Sequence, residues 1–379
     1  MPKTTCTQCG QHIEFPPELA GTDASCPHCS QTTHLEDSSV PTIRIPKPQP
    51  TSPVQRESSG DTLVHDVANQ LIQNIEQVIV GKTLEIKLTL TAYFADGHVL
   101  LEDVPGVAKT MLARALAQST ACSFKRIQCT PDLLPNDISG TSIFNPKTTE
   151  FEFRPGPLFA QIVLADEINR ATPRAQSALL EAMAERKVTA DGTNYDLTPP
   201  FILIATQNPV DHEGTFPLPE AQLDRFLIRL SLGYPAAQHE IEMLKRLQSA
   251  HPIEKLVPVV DADQIQACQE GVRNIAVDEK IVDYVVQLMN ASREHHDLSL
   301  GGSPRASLAL IRTAQAYAAI HGYDFVMPDD IKLLAPYVLG HRLILRPESR
   351  LRKKNVHQVI DELMQSVSVP AIPPGAYRS

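Results

Sequence analysis

The stretch Gly97–Leu101 (GHVLL), the loop Glu102-Asp103-Val104-Pro105-Gly106-Val107-Ala108, the pair Lys109-Thr110 and the following MLARALAQ constrain this chain more than any other segment. An apolar run of strand type enters a loop of small residues and leaves it through Lys-Thr into a helical pattern. That order is the layout of a phosphate-binding loop, in which backbone amides and a helix N-terminus face an anion. In that layout Lys109 supplies a point charge to the β- and γ-phosphates of a nucleotide, and the Thr110 hydroxyl ligates Mg²⁺. The general pattern G-x-x-x-x-G-K-[ST] asks for glycine where this chain has Asp103 and Ala108. Ala108 is expected to adopt helical angles at the helix start, where glycine is not required, and Asp103 to tolerate an unusual backbone conformation.

Short β-rich runs recur beyond that loop. They are His98–Leu101, Arg126–Cys129, Gln161–Ala165, Phe201–Thr206 and Phe226–Leu230, with helical patterns such as Thr110–Gln118 and Pro173–Ala184 between them. Several runs are continuously apolar, which suits parallel strands covered on both faces, and the alternation predicts an α/β domain around a mainly parallel sheet. After Tyr234-Pro235 the strand signals stop and helical faces take over, one marked by Ile281, Tyr284, Val285, Leu288 and Met289 and another by Leu310, Ala314, Tyr317 and Ala318. Residues 37–60 are rich in Pro and Ser and poor in large apolar groups, the composition of an extended linker. The predicted order is a small module over 1–36, a linker over 37–60, an α/β core over 61–234 and a helical domain over 235–379.

Ile162–Glu167 (IVLADE) is a buried-strand run that ends in two carboxylates. Ligands of parallel sheets sit at the carboxyl ends of the strands, so Asp166 and Glu167 are expected beside the phosphate loop. There Asp166 would hold the Mg²⁺ shell and Glu167 would polarise an attacking water. The run FILIAT (Phe201–Thr206) leads into Gln207-Asn208-Pro209, where Asn208 could orient the same water or simply form a turn before proline. Arg225 follows a turn ahead of the fifth strand, and Arg305 lies in the first turn of a helix just after Pro304. Arginine stabilises the charge that phosphoryl transfer spreads over the γ-oxygens, while a structural ion pair is the alternative for each.

Four of the seven cysteines form two C-x2-C pairs, Cys6/Cys9 and Cys26/Cys29. Four thiolates at that spacing suit a closed, tetrahedral Zn²⁺ site on two knuckles, and metal would supply much of the stability of so short a module. Cys122, Cys129 and Cys268 sit among apolar neighbours and are expected to be buried, inert thiols. No apolar run approaches the roughly 20 residues of a membrane span. The polar segment Met1–Gly10 lacks a signal-peptide core, so a cytoplasmic address is expected. With 34 basic and 44 acidic residues the net charge is −10, and whole-molecule attraction to nucleic acid is not expected. Arg342, Arg346, Arg350, Arg352, Lys353 and Lys354 form a basic run, read as a solvated face or a subunit contact in preference to a nucleic-acid site.

From about Val64 to Pro370 these segments resemble the AAA+ ATPases, and specifically the MoxR family. The most specific stretches are GHVLLEDVPGVAKT (97–110), RIQCTPDLLPNDISG (126–140), FRPGPLFA (153–160), ADEINRATPRAQSALLEAMAE (165–185), ATQNP (205–209), LPEAQLDRF (218–226) and GGSPRA (301–306). The resemblance implies an AAA+ P-loop core with a five-stranded sheet, an all-helical lid domain after it and a small zinc ribbon before it. Lys109 and Thr110 then belong to Walker A, Asp166 and Glu167 to Walker B, and Asn208 to sensor 1, with Arg225 as arginine finger and Arg305 as sensor 2. Val80 and Gly81 fall where the family contacts adenine, with Phe144–Pro157 and Lys187–Leu197 as two inserted hairpins. The family implies ATP, Mg²⁺, a closed homo-oligomeric ring, typically hexameric, and a protein client, among such clients ones with a von Willebrand factor A domain. The competing readings are a nucleic-acid-stimulated motor, an ATP-gated scaffold with little turnover, and a magnesium-chelatase-like subunit that shares the same site.

Overall fold

The computed structural model describes residues 62–208, 215–247 and 252–370, with short pieces of the first 34 residues (3–5, 12–14, 23–25, 29 and 32–34). In the N-terminal part, β1 (Lys3–Thr5) pairs antiparallel with β2 (His12–Glu14), and β3 (Asp23–Ser25) with β4 (Thr32–His34). Cys6, Cys9 and Cys26 lie outside the described residues, as does the Pro/Ser-rich segment 37–60; Cys29 is described and half-buried.

Helices α1 (Thr62–Glu76) and α2 (Thr83–Phe94) lead into β5 (Val99–Glu102), α3 (Lys109–Ser119) and β6 (Phe124–Gln128). Short α4 (Pro135–Ser139) opens the antiparallel hairpin of β7 (Gly140–Asn145) and β8 (Glu150–Pro155). Then come β9 (Ile162–Asp166), α5 (Pro173–Glu185) and a second hairpin, β10 (Lys187–Ala190) with β11 (Thr193–Asp196). β12 (Ile202–Gln207), α6 (Glu220–Leu223) and β13 (Ile228–Leu230) complete the core. Five strands form one wholly parallel sheet in the order β13-β5-β12-β9-β6.

Alternation along the strands builds the two sides of the core. Val99, Leu101, Ile162, Leu164, Ile202 and Ile204 face the cluster made with α1, α2 and α3. Leu100, Val163, Ala165, Leu203 and Ala205, one residue out of step, face Leu179, Leu180 and Met183 of α5. Because both faces are covered, the strands read as unbroken apolar runs. In α2 burial is nearly all-round from Ile86 onward, and the buried Thr89 and Thr91 return their hydroxyls to the carbonyls of Glu85 and Lys87, each at 2.8 Å.

Beyond β13 come α7 (Ala237–Leu247), α8 (Ala262–Arg273), α9 (Glu279–Glu294), β14 (Leu298–Leu300), α10 (Pro304–Ile320), α11 (Pro328–Leu339), β15 (Ile344–Leu345), α12 (Pro347–Leu351) and α13 (Val356–Ser366). The expectation of an all-helical lid is corrected in one respect: β14 and β15 form a small antiparallel ladder. These strands of three and two residues are too short to carry a period-2 signal. Central α10 packs on α2, α9 and α11, and its N-cap Ser303 accepts from Ala306 N–H. Cys122, Cys129 and Cys268 are buried as expected. No helix of the described residues is long and apolar enough to cross a membrane.

Candidate active site

The carboxyl ends of β5, β9 and β12 lie at one edge of the sheet and carry the loop after Glu102, the acid pair and Asn208. β12 runs between the other two, with Gln207 opposite Glu102 and Ala205 opposite Ala165. It also ties them together through hydrogen bonds. The Gln207 carbonyl accepts from Asp103 N–H at 3.1 Å. The fully buried Thr206 hydroxyl donates to Asp166 Oδ1 at 2.6 Å and accepts from Glu167 N–H at 2.8 Å.

In the loop, Gly106 (φ 86°) and Ala108 (φ 64°) are left-handed, whereas Val107 between them is not. Alternating signs of φ turn successive amides toward one side, the nest that cradles anions. The sequence-based expectation of helical angles at Ala108 is therefore overturned. Ala108 is the N-cap of α3 at φ 64°, ψ 22°, a conformation that costs an L-residue about 1–2 kcal/mol and that glycine adopts freely. Alanine is tolerated there because it adds only a methyl group. A Cβ built on Gly106 would meet nothing within 4 Å, so that face of the loop is open for an anion.

Asp103, at the other departure from the glycine pattern, has a structural explanation. Its buried carboxylate accepts from Val104 N–H at 2.9 Å, from the Ser231 hydroxyl at 3.0 Å and from Gly233 N–H at 2.5 Å. It staples the loop to the segment leaving β13 for the lid. The same segment receives Lys82, whose ammonium donates to the Leu232 carbonyl and to that of Tyr234 at 3.2 Å. Gly81 (φ 71°) packs so closely on α7 that a Cβ would stand 2.0 Å from His239 Nδ1. Ile79 and Val80 are buried beside it. The predicted adenine strap, the phosphate loop and the core–lid connector thus meet. Lys109 Nζ donates to the Asp103 carbonyl at 2.6 Å, and Thr110 follows it in the first turn of α3. A nest, a helix N-terminus and a lysine, at the same edge of the sheet as the acid pair, fit a Mg²⁺-bound nucleoside triphosphate.

β9 is buried along its whole length, and the chain turns sharply at Glu167 (φ 58°). Sequence reasoning missed the side chains that hold the two carboxylates. Arg126 on β6 donates to Asp166 Oδ2 from Nε at 3.0 Å and from Nη2 at 2.6 Å. Gln128 Nε2 and Arg170 Nη1 reach Glu167 Oε2 at 3.3 and 3.2 Å. The signal available was the i, i+2 spacing of Arg126 and Gln128 on one strand face. Burial, reinforced by the nearby charges of Asp166 and Glu167, pushes the Cys129 thiol up to about 12, so it stays neutral beside the acid pair.

Asn208 is buried at the end of β12. Exposed Arg225 donates from Nη1 to the Leu180 carbonyl at 2.8 Å. Arg305, 64% exposed at its side chain, lies 3.5 Å from Asp224. The basic run does not form one solvated face, because Arg342 is buried against Asp224 and Lys354 is paired with Asp297 and Glu362. A cavity of about 360 Å³ lined by Asp96, Arg186, Phe201 and Gln269 opens toward the amino ends of the strands, and no residue of the loop or the acid pair lines it.

Comparison with known proteins identifies the family of this fold. Residues 98–228 fit the model of the ATPase family associated with various cellular activities (AAA), and residues 290–363 fit that of the AAA lid domain. The chain is 39% identical over 318 residues to chaperone MoxR1 of Mycobacterium tuberculosis, covering 82% of this chain and 84% of the relative. It is 31% identical over 342 residues to protein MoxR of Methylorubrum extorquens (82% and 98%), and 51% identical over 307 residues to the uncharacterized protein YeaC of Bacillus subtilis (81% and 96%). A crystal structure of a Cytophaga hutchinsonii protein, 36% identical, superposes with a TM-score of 0.76 over 82% of this chain and 97% of that one. The chain belongs to the MoxR family of AAA+ ATPases.

Proposed function

We propose that this chain hydrolyses ATP with Mg²⁺ and, as a ring of identical subunits, uses the cycle to remodel, assemble or help insert metal into a protein client. The observation that carries the reading is the bridging of the phosphate loop and the acid pair by β12, through Asp103 N–H on Gln207 and Thr206 on Asp166 and Glu167. Lys109 and the backbone amides of Gly106–Thr110 hold the phosphates, with Asp103, Val104 and Pro105 shaping the loop that presents them, while Val80 and Gly81 line the base. Thr110 and Asp166 hold Mg²⁺, which when bound neutralises charge on the phosphates and orients them. Glu167 takes the proton of the attacking water, and Asn208 positions that water from the β12 side. Arg225, exposed and bonded to the Leu180 carbonyl, suits a finger offered to a neighbouring subunit, and Arg305 suits a sensor on the lid. We assign 61–234 to the nucleotide-binding core and 235–379 to the lid.

For residues 1–36 we propose a structural Zn²⁺ site on Cys6, Cys9, Cys26 and Cys29, followed by a linker over 37–60. In sequence, one C-x2-C pair falls between β1 and β2 and the other between β3 and β4, as two zinc knuckles require. Clients with a von Willebrand factor A domain and a cytoplasmic address are part of the same reading. The burial of Arg342 and the pairing of Lys354 remove support for a nucleic-acid site on the basic run.

The deciding experiment is Glu167→Gln. It should bind ATP as the wild type does and hydrolyse it at least about a hundredfold more slowly, the usual worth of a positioned general base. Turnover at the wild-type rate would remove the catalytic assignment.

A further inference from the structure

The acid pair already has a cation of the protein's own. Arg126 grips Asp166 Oδ2 with two nitrogens, at 3.0 and 2.6 Å, while Thr206 occupies Oδ1. The two partners are unequally placed. The Asp166 side chain is 11% exposed, so its charge is poorly hydrated and needs a counter-charge. The Arg126 side chain is 48% exposed and stands on β6, the terminal strand of the sheet, so it can swing into water without disturbing a ladder between two strands. Arg126 Nη2 also donates to Gln128 Oε1 at 2.5 Å, and Gln128 in turn donates to Glu167. A single guanidinium is therefore linked to both carboxylates.

Resting on the ATPase reading of this site, we propose that Arg126 is a built-in competitor of Mg²⁺ for Asp166, which keeps metal off the acid pair until nucleotide delivers it. A guanidinium and a divalent cation cannot share one carboxylate oxygen without like-charge repulsion at close range. Mg²⁺ gives up water reluctantly and is normally held by one or two carboxylates together with substrate phosphates. One carboxylate already neutralised by arginine is a poor metal site; the same carboxylate facing a triphosphate is a good one. Exchange then moves Arg126 into solvent and releases Gln128, so the grip on Glu167 loosens in the same step. Arg126 is a positioning residue in this scheme, since it acts through Asp166 and Gln128 and not on the reacting atoms.

The test uses the full-length protein without nucleotide and Mn²⁺ as a paramagnetic stand-in for Mg²⁺, followed by electron paramagnetic resonance. Arg126→Gln should bind Mn²⁺ about fivefold more tightly than the wild type, the scale of an ion pair with one half-exposed member. Arg126→Lys, which keeps the charge, should stay within about twofold of the wild type. Adding Asp166→Asn to Arg126→Gln should abolish the gain. Coincident isotherms for wild type and Arg126→Gln, or a gain that survives Asp166→Asn, would overturn the proposal. If Arg126→Gln does not fold, Arg126→Thr, a good strand former, takes its place with the same expectation. A parallel titration with a fluorescent ATP analogue separates the two levels. Failure of the wild type to bind it with or without metal sinks the ATPase reading, whereas tight binding with unchanged Mn²⁺ isotherms sinks only the role of Arg126.

Discussion

Arg342 offers the most demanding test of how the lid holds the catalytic core. It follows α11, is 7% exposed, and its guanidinium is wrapped by the chain that enters β13. Nε donates to Asp224 Oδ1 at 2.7 Å, Nη2 to the carbonyls of Phe226 at 2.6 Å and Asp224 at 3.2 Å, and Nη1 to the carbonyls of Leu227 at 3.1 Å and Val338. Burial pulls the Arg342 pKa down and the bond to Asp224 holds it up. Arg342→Met would keep the apolar stem and strip the charge, leaving the Asp224 carboxylate and four nearby carbonyls short of a donor. Breaking a buried pair from one side costs about 3–5 kcal/mol. We take about 3, because Asp224 is 21% exposed and retains Arg305. The Arg305–Asp224 contact, with Arg305 64% exposed, should contribute no more than about 1 kcal/mol. Urea denaturation of the wild type, Arg342→Met, Asp224→Asn and the double variant gives the coupling directly, and the same cycle with Arg305→Ala gives the comparison. ATP turnover should fall along with stability, since Arg225 lies inside the segment that Arg342 clamps. A loss below about 0.5 kcal/mol for Arg342→Met, or equal coupling energies in the two cycles, would refute the reasoning.

Three further expectations follow from the structure. Ala108→Gly should leave stability within about 1 kcal/mol of the wild type and preserve nucleotide binding, whereas Ala108→Val, forced into a left-handed angle that β-branched side chains resist, should weaken both; a fluorescent-nucleotide titration with a thermal melt distinguishes them. Asp103→Ala should cost about 2–4 kcal/mol in a denaturant titration by stranding the amides of Val104 and Gly233 and the Ser231 hydroxyl, and it should weaken nucleotide binding as the loop loses its anchor. His98 is fully enclosed, accepts from Leu203 N–H at 3.0 Å and reaches the Met183 carbonyl at 3.1 Å, and burial holds its pKa well below the ordinary 6.5. The unfolded chain then binds a proton that the folded chain refuses, so stability should fall as pH drops below about 6.5, and the slope over pH 5–6.5 in urea midpoints should be smaller in His98→Gln.

The elements that the sequence displayed best are those whose packing is two-sided. β9 and β12 are recognisable as unbroken apolar runs because helices cover both faces, and their limits shift by only one residue from expectation. The position of the acid pair at the end of a buried strand was legible because an apolar run that stops at two carboxylates marks the carboxyl end of a covered parallel strand. Ala108 was misjudged because its left-handed angle is imposed by the neighbouring loop amides, a demand that no local propensity records. Arg342 was misread for a similar reason. In sequence it heads a basic run, and only the chain at Asp224–Leu227, more than 110 positions away, turns it inward. Arg126 and Gln128 went unassigned because their partners sit on an adjacent strand whose neighbour order does not follow chain order.

The threading of β12 between β5 and β9 makes the two halves of the site mechanically inseparable. A slide of this strand by a fraction of an ångström would tug the loop through the Gln207 carbonyl and tilt both acids through one hydroxyl. Because Asn208 sits at its tip, next to residues 209–214, a push on that tip would be felt by every reacting group together. A change made far from the triphosphate, along the body of this one strand, should therefore disturb capture and turnover in the same proportion.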